Sequence, residues 1–256
     1  MAPAIPMTPA IPMITTTTTT MPTEAMAGRS LSELLYLLQF ADSALPVGGF
    51  SFSHGLESAI QQGIVDGPET LRRYTETSMW QSATSDGVAV LCAHRAVEAG
   101  DVEELLRIDR LTYQRKLNEE TRLMTVRMGK KLCELSAGMI EAPLPRDWFQ
   151  RIRSGATPGT HPVSLAITLG TLHANRRDAF GVQQYGVANG VLSAALRLMR
   201  ISFVDTQKIL LDVTGQVGSA YERIADLTVD EMASFAPMVD ILAAVHVKGH
   251  VRMFMN

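Results

Sequence analysis

The stretch Asp86-Gly-Val-Ala-Val-Leu-Cys-Ala-His-Arg-Ala-Val-Glu-Ala99 decides the fold of this chain. It is nearly all apolar, with Val88, Leu91 and Cys92 at its centre, it contains no proline, and Gly100 follows it as a stop. That pattern predicts a helix set among other helices. On its C-terminal side Asp101 caps the next helix, in which Leu105, Ile108 and Leu111 fall at helical spacing. On its N-terminal side Pro68 opens a segment carrying Leu71, Tyr74 and Met79, as proline does in a first helical turn. Before that, residues 54–64 read as a helix that stops near Gly63. Ser30 and Glu33 have capping-box spacing ahead of a stripe of Leu31, Leu34, Leu35 and Leu38, which predicts a first helix over 30–41.

The remainder continues the pattern. Asn118 is placed to cap a long helix to about residue 137, with Leu123, Val126, Leu132 and Leu135 on one side. Arg122, Arg127, Lys130 and Lys131 occupy the other side. A Pro- and Gly-rich break follows over 138–160, with a short turn expected around Trp148. His161-Pro162 opens another apolar helix, and helices are predicted over 179–200, 205–223 and 230–247. No strand pair with a hairpin turn and no repeat period is visible. The expectation is an all-α, bundle-like single domain of about ten helices over residues 28–256. Residues 1–27, with prolines at 3, 6, 9, 12 and 22 and a threonine run over 15–20, are expected to be a disordered tail.

Composition agrees with that class. Of 256 residues 46% are hydrophobic and only 6% aromatic, which favours helices packed on helices over a β-sandwich. A net charge of −3 offers no basic stripe, so nucleic acid is not an expected partner. No run of about 18 apolar residues occurs, so no membrane span is expected, and the tail lacks the basic and apolar regions of a secretion signal. Cys92 and Cys133 lie inside helical patterns without disulfide or metal spacing, which fits a reducing cytoplasm.

Function concentrates in Asp42-Ser-Ala-Leu-Pro-Val-Gly-Gly-Phe-Ser-Phe-Ser-His-Gly-Leu-Glu57. Pro46, Gly48, Gly49 and Gly55 make this a shaped loop. Asp42 and Ser43 are suited to hydrogen-bond backbone amides there. Phe50 and Phe52, two apart, point to opposite sides of an extended chain, so one can anchor in the core while the other faces out as an interface contact. His54 and Glu57, three apart, fit one helical face as a metal pair or an acid/base pair. The plainer alternative is that His54 orients the loop and Glu57 complements a helix N-terminus. His246 and His250, four apart, are a weaker candidate metal pair.

Other chemistry is missing. The chain has no phosphate-binding G-x-x-x-x-G-K-[ST] loop, no G-x-S-x-G elbow and no H-E-x-x-H zinc motif. Arg122, Arg127 and Lys130 form a basic helix face that is either solvated or a dock for an acidic partner. The C-terminal Val251, Arg252, Met253, Phe254 and Met255 are unusually apolar for a chain end, which suits folding back onto the domain or binding a partner.

Residues 43–57 resemble the signature of the UreF family of urease accessory proteins. Support comes from Glu120-Thr-Arg122 with Arg127-Met-Gly-Lys130, Gly159-Thr-His-Pro-Val163, Asn189 ahead of Ala194-Ala-Leu-Arg197, Gln207-Lys-Ile-Leu210 and Arg252-Met-Phe254. Departures sit near the end, where the family commonly has Gln-His and this chain has Val245-His246, and where the final residues differ from the usual serine-containing tail. The resemblance implies an all-α, non-enzymatic scaffold without a cofactor of its own. It implies binding to UreD (UreH in some species) and to the GTPase UreG, a homodimer within the complex, and GTP-dependent nickel insertion into apo-urease. Partner-binding residues are then expected among Phe50, Phe52, His54, Glu57, Arg122, Arg127, Lys130, Arg252 and Phe254. The rival expectation is a small helical enzyme using His54 and Glu57 as acid and base.

Overall fold

The computed structural model describes residues 30–234, 241–242 and 253–254. The expected tail over 1–27, the His246–His250 pair and Arg252 lie outside the described residues.

Every regular element among the described residues is helical. In chain order these are α1 (Leu31–Ala41), α2 (Leu56–Gln61), α3 (Pro68–Ser82), α4 (Val88–Ala99), α5 (Val102–Gln114) and α6 (Glu119–Met139). They continue with α7 (Pro143–Arg153), α8 (His161–Thr171), α9 (Arg176–Leu198), α10 (Phe203–Thr214) and α11 (Val217–Ile224). The caps act as their chemistry requires. Asp101 accepts from the Glu104 amide at 2.9 Å, Asn118 from Thr121 at 2.8 Å and Asn175 from Asp178 at 2.9 Å. Each satisfies an amide that the first turn leaves without an intrahelical acceptor.

The apolar segment that predicted the fold sits at its centre. Val88 to Ala93 are buried without a break, and α4 packs against α5, α8 and α9. Pro162 to Leu169 of α8 are buried in the same way, and α8 also lies on α6. The α6–α8 contact is made by small and polar residues, with the Ser136 and Thr168 hydroxyls 2.7 Å apart. At Gly129 the approach is closer still: a Cβ there would lie 2.2 Å from the Gly159 carbonyl oxygen and 2.6 Å from the His161 nitrogen. Only glycine lets α6 lie against that backbone.

Several expectations are corrected. The predicted turn around Trp148 is the helix α7, with Pro143 at its first position and Trp148 fully buried. The span 205–223 is two helices, parted after Thr214. The buried side of α6 is Thr125, Gly129, Leu132, Cys133 and Ser136, and Leu123 is exposed. On α1 the buried residues are Leu37 and Phe40, so the Leu31, Leu34, Leu35 and Leu38 stripe faces outward. Between α3 and α4 the chain forms a π-helical turn, Ala83–Gly87, which carries Asp86. Of the predicted final helix, Val229–Glu231 is a 3₁₀ turn and 241–242 are helical.

Candidate partner-binding site

The loop from Asp42 to Gly55 is built by local hydrogen bonds and left-handed residues. Asp42 accepts from the Ala44 amide at 2.8 Å. Gly48 takes φ 84°, leading into a single 3₁₀ turn over Gly49–Ser51. Phe52 then drops into the core at 2% exposure, whereas Phe50 stands out at 72%. His54 and Gly55 are both left-handed, at φ 55° and 78°. That conformation costs a non-glycine residue on the order of 1–3 kcal/mol. The Tyr74 hydroxyl, donating to the His54 carbonyl at 2.7 Å, helps hold it. Helix α2 begins only after these residues, so His54 does not share a helical face with Glu57 as the spacing suggested.

The two residues have separate surroundings. Glu57 is buried, and its carboxylate accepts from the Met253 and Phe254 amides at 2.8 and 3.2 Å. Phe254 is buried in a cluster with Leu56, Ala59, Val191 and Leu242. Arg197 of α9 ties the tail to the loop. Its guanidinium carbon lies 3.7 Å from the Phe50 ring centre and 4.1 Å from that of Phe254, and its Nη1 donates to the Phe50 carbonyl at 3.0 Å. Contacts of this kind contribute about 0.5–2 kcal/mol each, the more so as water is excluded. Loop and tail, far apart in sequence, thus share one arginine. Phe50 and Met253 are both exposed.

Behind the loop lies a cavity of about 640 Å³, walled by Phe40, Val47, Met128, Leu165 and Val182 and reached by His54, Asp86, His161 and Arg197. A smaller space of about 130 Å³ shares His54, Asp86, Met124 and Val187 with it. Asp86 is paired with Lys116 at 2.5 Å, and the Lys116 carbonyl accepts from Arg122 Nε at 2.8 Å. Burial pushes His54 and His161 each down to about 4. Asp86 opposes that effect on both rings, and Lys116 reinforces it. Both imidazoles are therefore neutral at physiological pH.

His161 owes its position to a buried carboxylate. Asp109 of α5 is fully buried and gathers four donors: the Thr157 hydroxyl (2.6 Å), the Gly159 amide (2.7 Å), the Thr160 amide (2.8 Å) and the Thr160 hydroxyl (2.5 Å). These fix the backbone immediately before α8.

Of the residues expected to bind partners, the structure brings Phe50 and Phe254 together on Arg197, engages Glu57 with the tail amides and buries Phe52. His54 belongs to the cavity. Arg122 is half-buried over the Tyr113 ring, while Arg127 and Lys130 are exposed. Sequence reasoning assigned no role to Asp86, Lys116 or Asp109, and noticed Arg197 only through resemblance. Asp109 carried a usable signal, since it sits in register with Leu105, Ile108 and Thr112 on the buried face of α5. Among the described residues no three His, Cys, Asp or Glu side chains gather to hold a metal ion, and no helix is long and apolar enough to cross a membrane.

Comparison with known proteins converges on one family. The family model for UreF matches residues 65–214. A urease accessory protein UreF 2 of Brucella canis is 67% identical over 228 residues, which is 89% of this chain and 94% of that protein. The urease accessory protein UreF of Yersinia enterocolitica is 46% identical over 229 residues, covering 88% and 99% respectively. By the extent and identity of these matches, the chain belongs to the UreF family of urease accessory proteins.

Proposed function

We propose that this chain is a non-enzymatic scaffold of urease maturation in the cytoplasm. In this reading it binds UreD (or UreH) and the GTPase UreG, and supports GTP-dependent nickel insertion into apo-urease by recruiting and regulating UreG. The observation that carries the proposal is the clamp of Phe50, Arg197 and Phe254 with Glu57 beneath it. A surface built from a rigid loop and a chain end, with an exposed aromatic beside a cation, has the make-up of a protein-binding hot spot. Phe50, Arg252 and Phe254 are assigned to UreD, with Glu57 holding the tail and Phe52 anchoring the loop in the core behind them. His54 supports the loop from below, and Arg122, Arg127 and Lys130 are assigned to UreG. The exposed leucines of α1 are the proposed contact between two copies in a homodimer.

The rival acid/base pair loses support because both Glu57 oxygens are engaged by tail amides. Co-purification with UreD tests the scaffold reading. Arg197→Ala and truncation after Gly249 should each abolish capture while the far-ultraviolet circular dichroism stays helical. Capture at wild-type level by both variants would refute the assignment. Arg127→Glu should separately impair UreG recruitment, and unchanged recruitment would remove that part.

A further inference from the structure

The cavity behind the loop holds a donor set of which the scaffold role uses only His54, and that as a support for the loop. His161 donates its backbone amide to Thr125 Oγ1 at 3.2 Å, and the backbone over 159–161 lies against Gly129 one turn further along α6. Met124 and Met128 immediately precede those two contact positions, and both line the cavity with His161. Across it, His54 Nε2 occupies the space over Gly190 of α9, 2.9 Å from where a Cβ would stand. The Met128 methyl lies in the same manner over Gly49, at 3.3 Å from such an atom. Neither imidazole ring is hydrogen-bonded to a described residue, and both residues line the cavity.

We propose that this cavity binds a soft monovalent cation, Cu(I) or its surrogate Ag(I), through the imidazoles of His161 and His54 and the thioethers of Met124 and Met128. Thioether and neutral imidazole are soft to borderline donors that favour Cu(I) and do not suit Mg²⁺ or Ca²⁺. Each of the cavity's carboxylates has one oxygen engaged, Asp86 with Lys116 and Asp42 with the Ala44 amide. The described residues also offer no group of three His, Cys, Asp or Glu ligands, which divalent ions generally take. Two or three soft ligands suffice for Cu(I).

The inference stands apart from the partner assignment, and its test uses the isolated full-length chain. Cu(I) is titrated anaerobically in competition with bicinchoninate, whose coloured complex reports the metal that the protein does not hold. The wild type should withdraw one equivalent. Met124→Leu/Met128→Leu, which preserves apolar volume, and His161→Asn should each weaken that binding at least about tenfold. Should either variant fail to fold, Ag(I) added to wild-type chain labelled at the methionine methyls supplies the second measurement, with Met124 and Met128 expected to shift. Failure of the wild type to compete would overturn the proposal. So would an undiminished equivalent in the folded leucine variant, which would place the metal on Cys92, Cys133 or the methionines of the first 26 residues.

Discussion

Replacing Asp109 by asparagine tests whether the buried carboxylate organises the entrance to α8. Each carboxylate oxygen receives one backbone amide and one hydroxyl: Oδ2 takes Gly159 N and Thr157 Oγ1, and Oδ1 takes Thr160 N and Thr160 Oγ1. An asparagine must put its NH₂ where one of these oxygens stood. The hydroxyl on that side can rotate and accept, but the backbone amide cannot. Whichever way the side chain turns, Gly159 or Thr160 loses its acceptor inside the protein. An orphaned buried amide costs about 1–3 kcal/mol, and the surviving bonds lose their charge assistance, so Asp109→Asn should destabilise by about 2–4 kcal/mol. Asp109→Ala orphans both amides and leaves a void, for about 3–5 kcal/mol. Urea unfolding of the full-length chain, followed by circular dichroism at one protein concentration, measures both. The reasoning fails if asparagine costs less than about 0.5 kcal/mol, or if it costs more than alanine.

Three further outcomes are expected. Gly129→Ala drives a Cβ into the Gly159–His161 backbone, which no rotamer relieves, and should lower the thermal midpoint by at least about 4 °C; a change within about 1 °C would contradict the close approach. Because burial lowers His54 and His161 from 6.5 to about 4, the unfolded chain takes up protons first as the pH falls. Their contribution is intact above about pH 6.5 and drains toward pH 4, by at most about 3 kcal/mol for either ring. The stability difference between wild type and His161→Gln should therefore change across that window, and a pH-independent difference would argue against it. Cys133, whose thiol burial and the nearby Asp109 push up to about 12, should resist iodoacetamide at pH 8 in the native chain and react once unfolded; rapid native labelling would count against its burial.

Much of the architecture could be read from residue patterns because helices advertise themselves through caps and spacing. Asp101 and Asn118 cap where their side chains predict, and the apolar segment from Val88 is the buried centre. Periodicity failed where tertiary contacts reverse its usual meaning. The α1 leucines form a good stripe yet lie outward, because α1 buries Leu37 and Phe40 instead. Gly129, Thr125 and Ser136 look like the poor face of α6, yet they are the buried one, since α8 and its entry loop come too near for large side chains. The α7 helix was hidden by its prolines, which sit in its first turn where a missing amide does no harm.

The site was legible in part for a similar reason. The glycine-rich loop announces itself, and the Phe50–Phe52 spacing gave the sense of one ring outward and one inward. His54 and Glu57 misled because helical spacing was assumed through two left-handed residues. Arg197 and Lys116 gave no local sign, since their partners are distant in sequence and long cationic side chains are ordinary on helices.

The π-helical turn over Ala83–Gly87 also acts as a phase setting between α3 and α4. It holds one residue more than an α-helical path would, and each residue turns a helix by about 100°. Losing a single residue there would let α3 run straight into α4, rotating every α4 side chain by that angle relative to α8 and α9 and carrying the acidic group away from its lysine. Insertions and deletions should therefore be tolerated far less between Ser82 and Val88 than their distance from either chain end suggests.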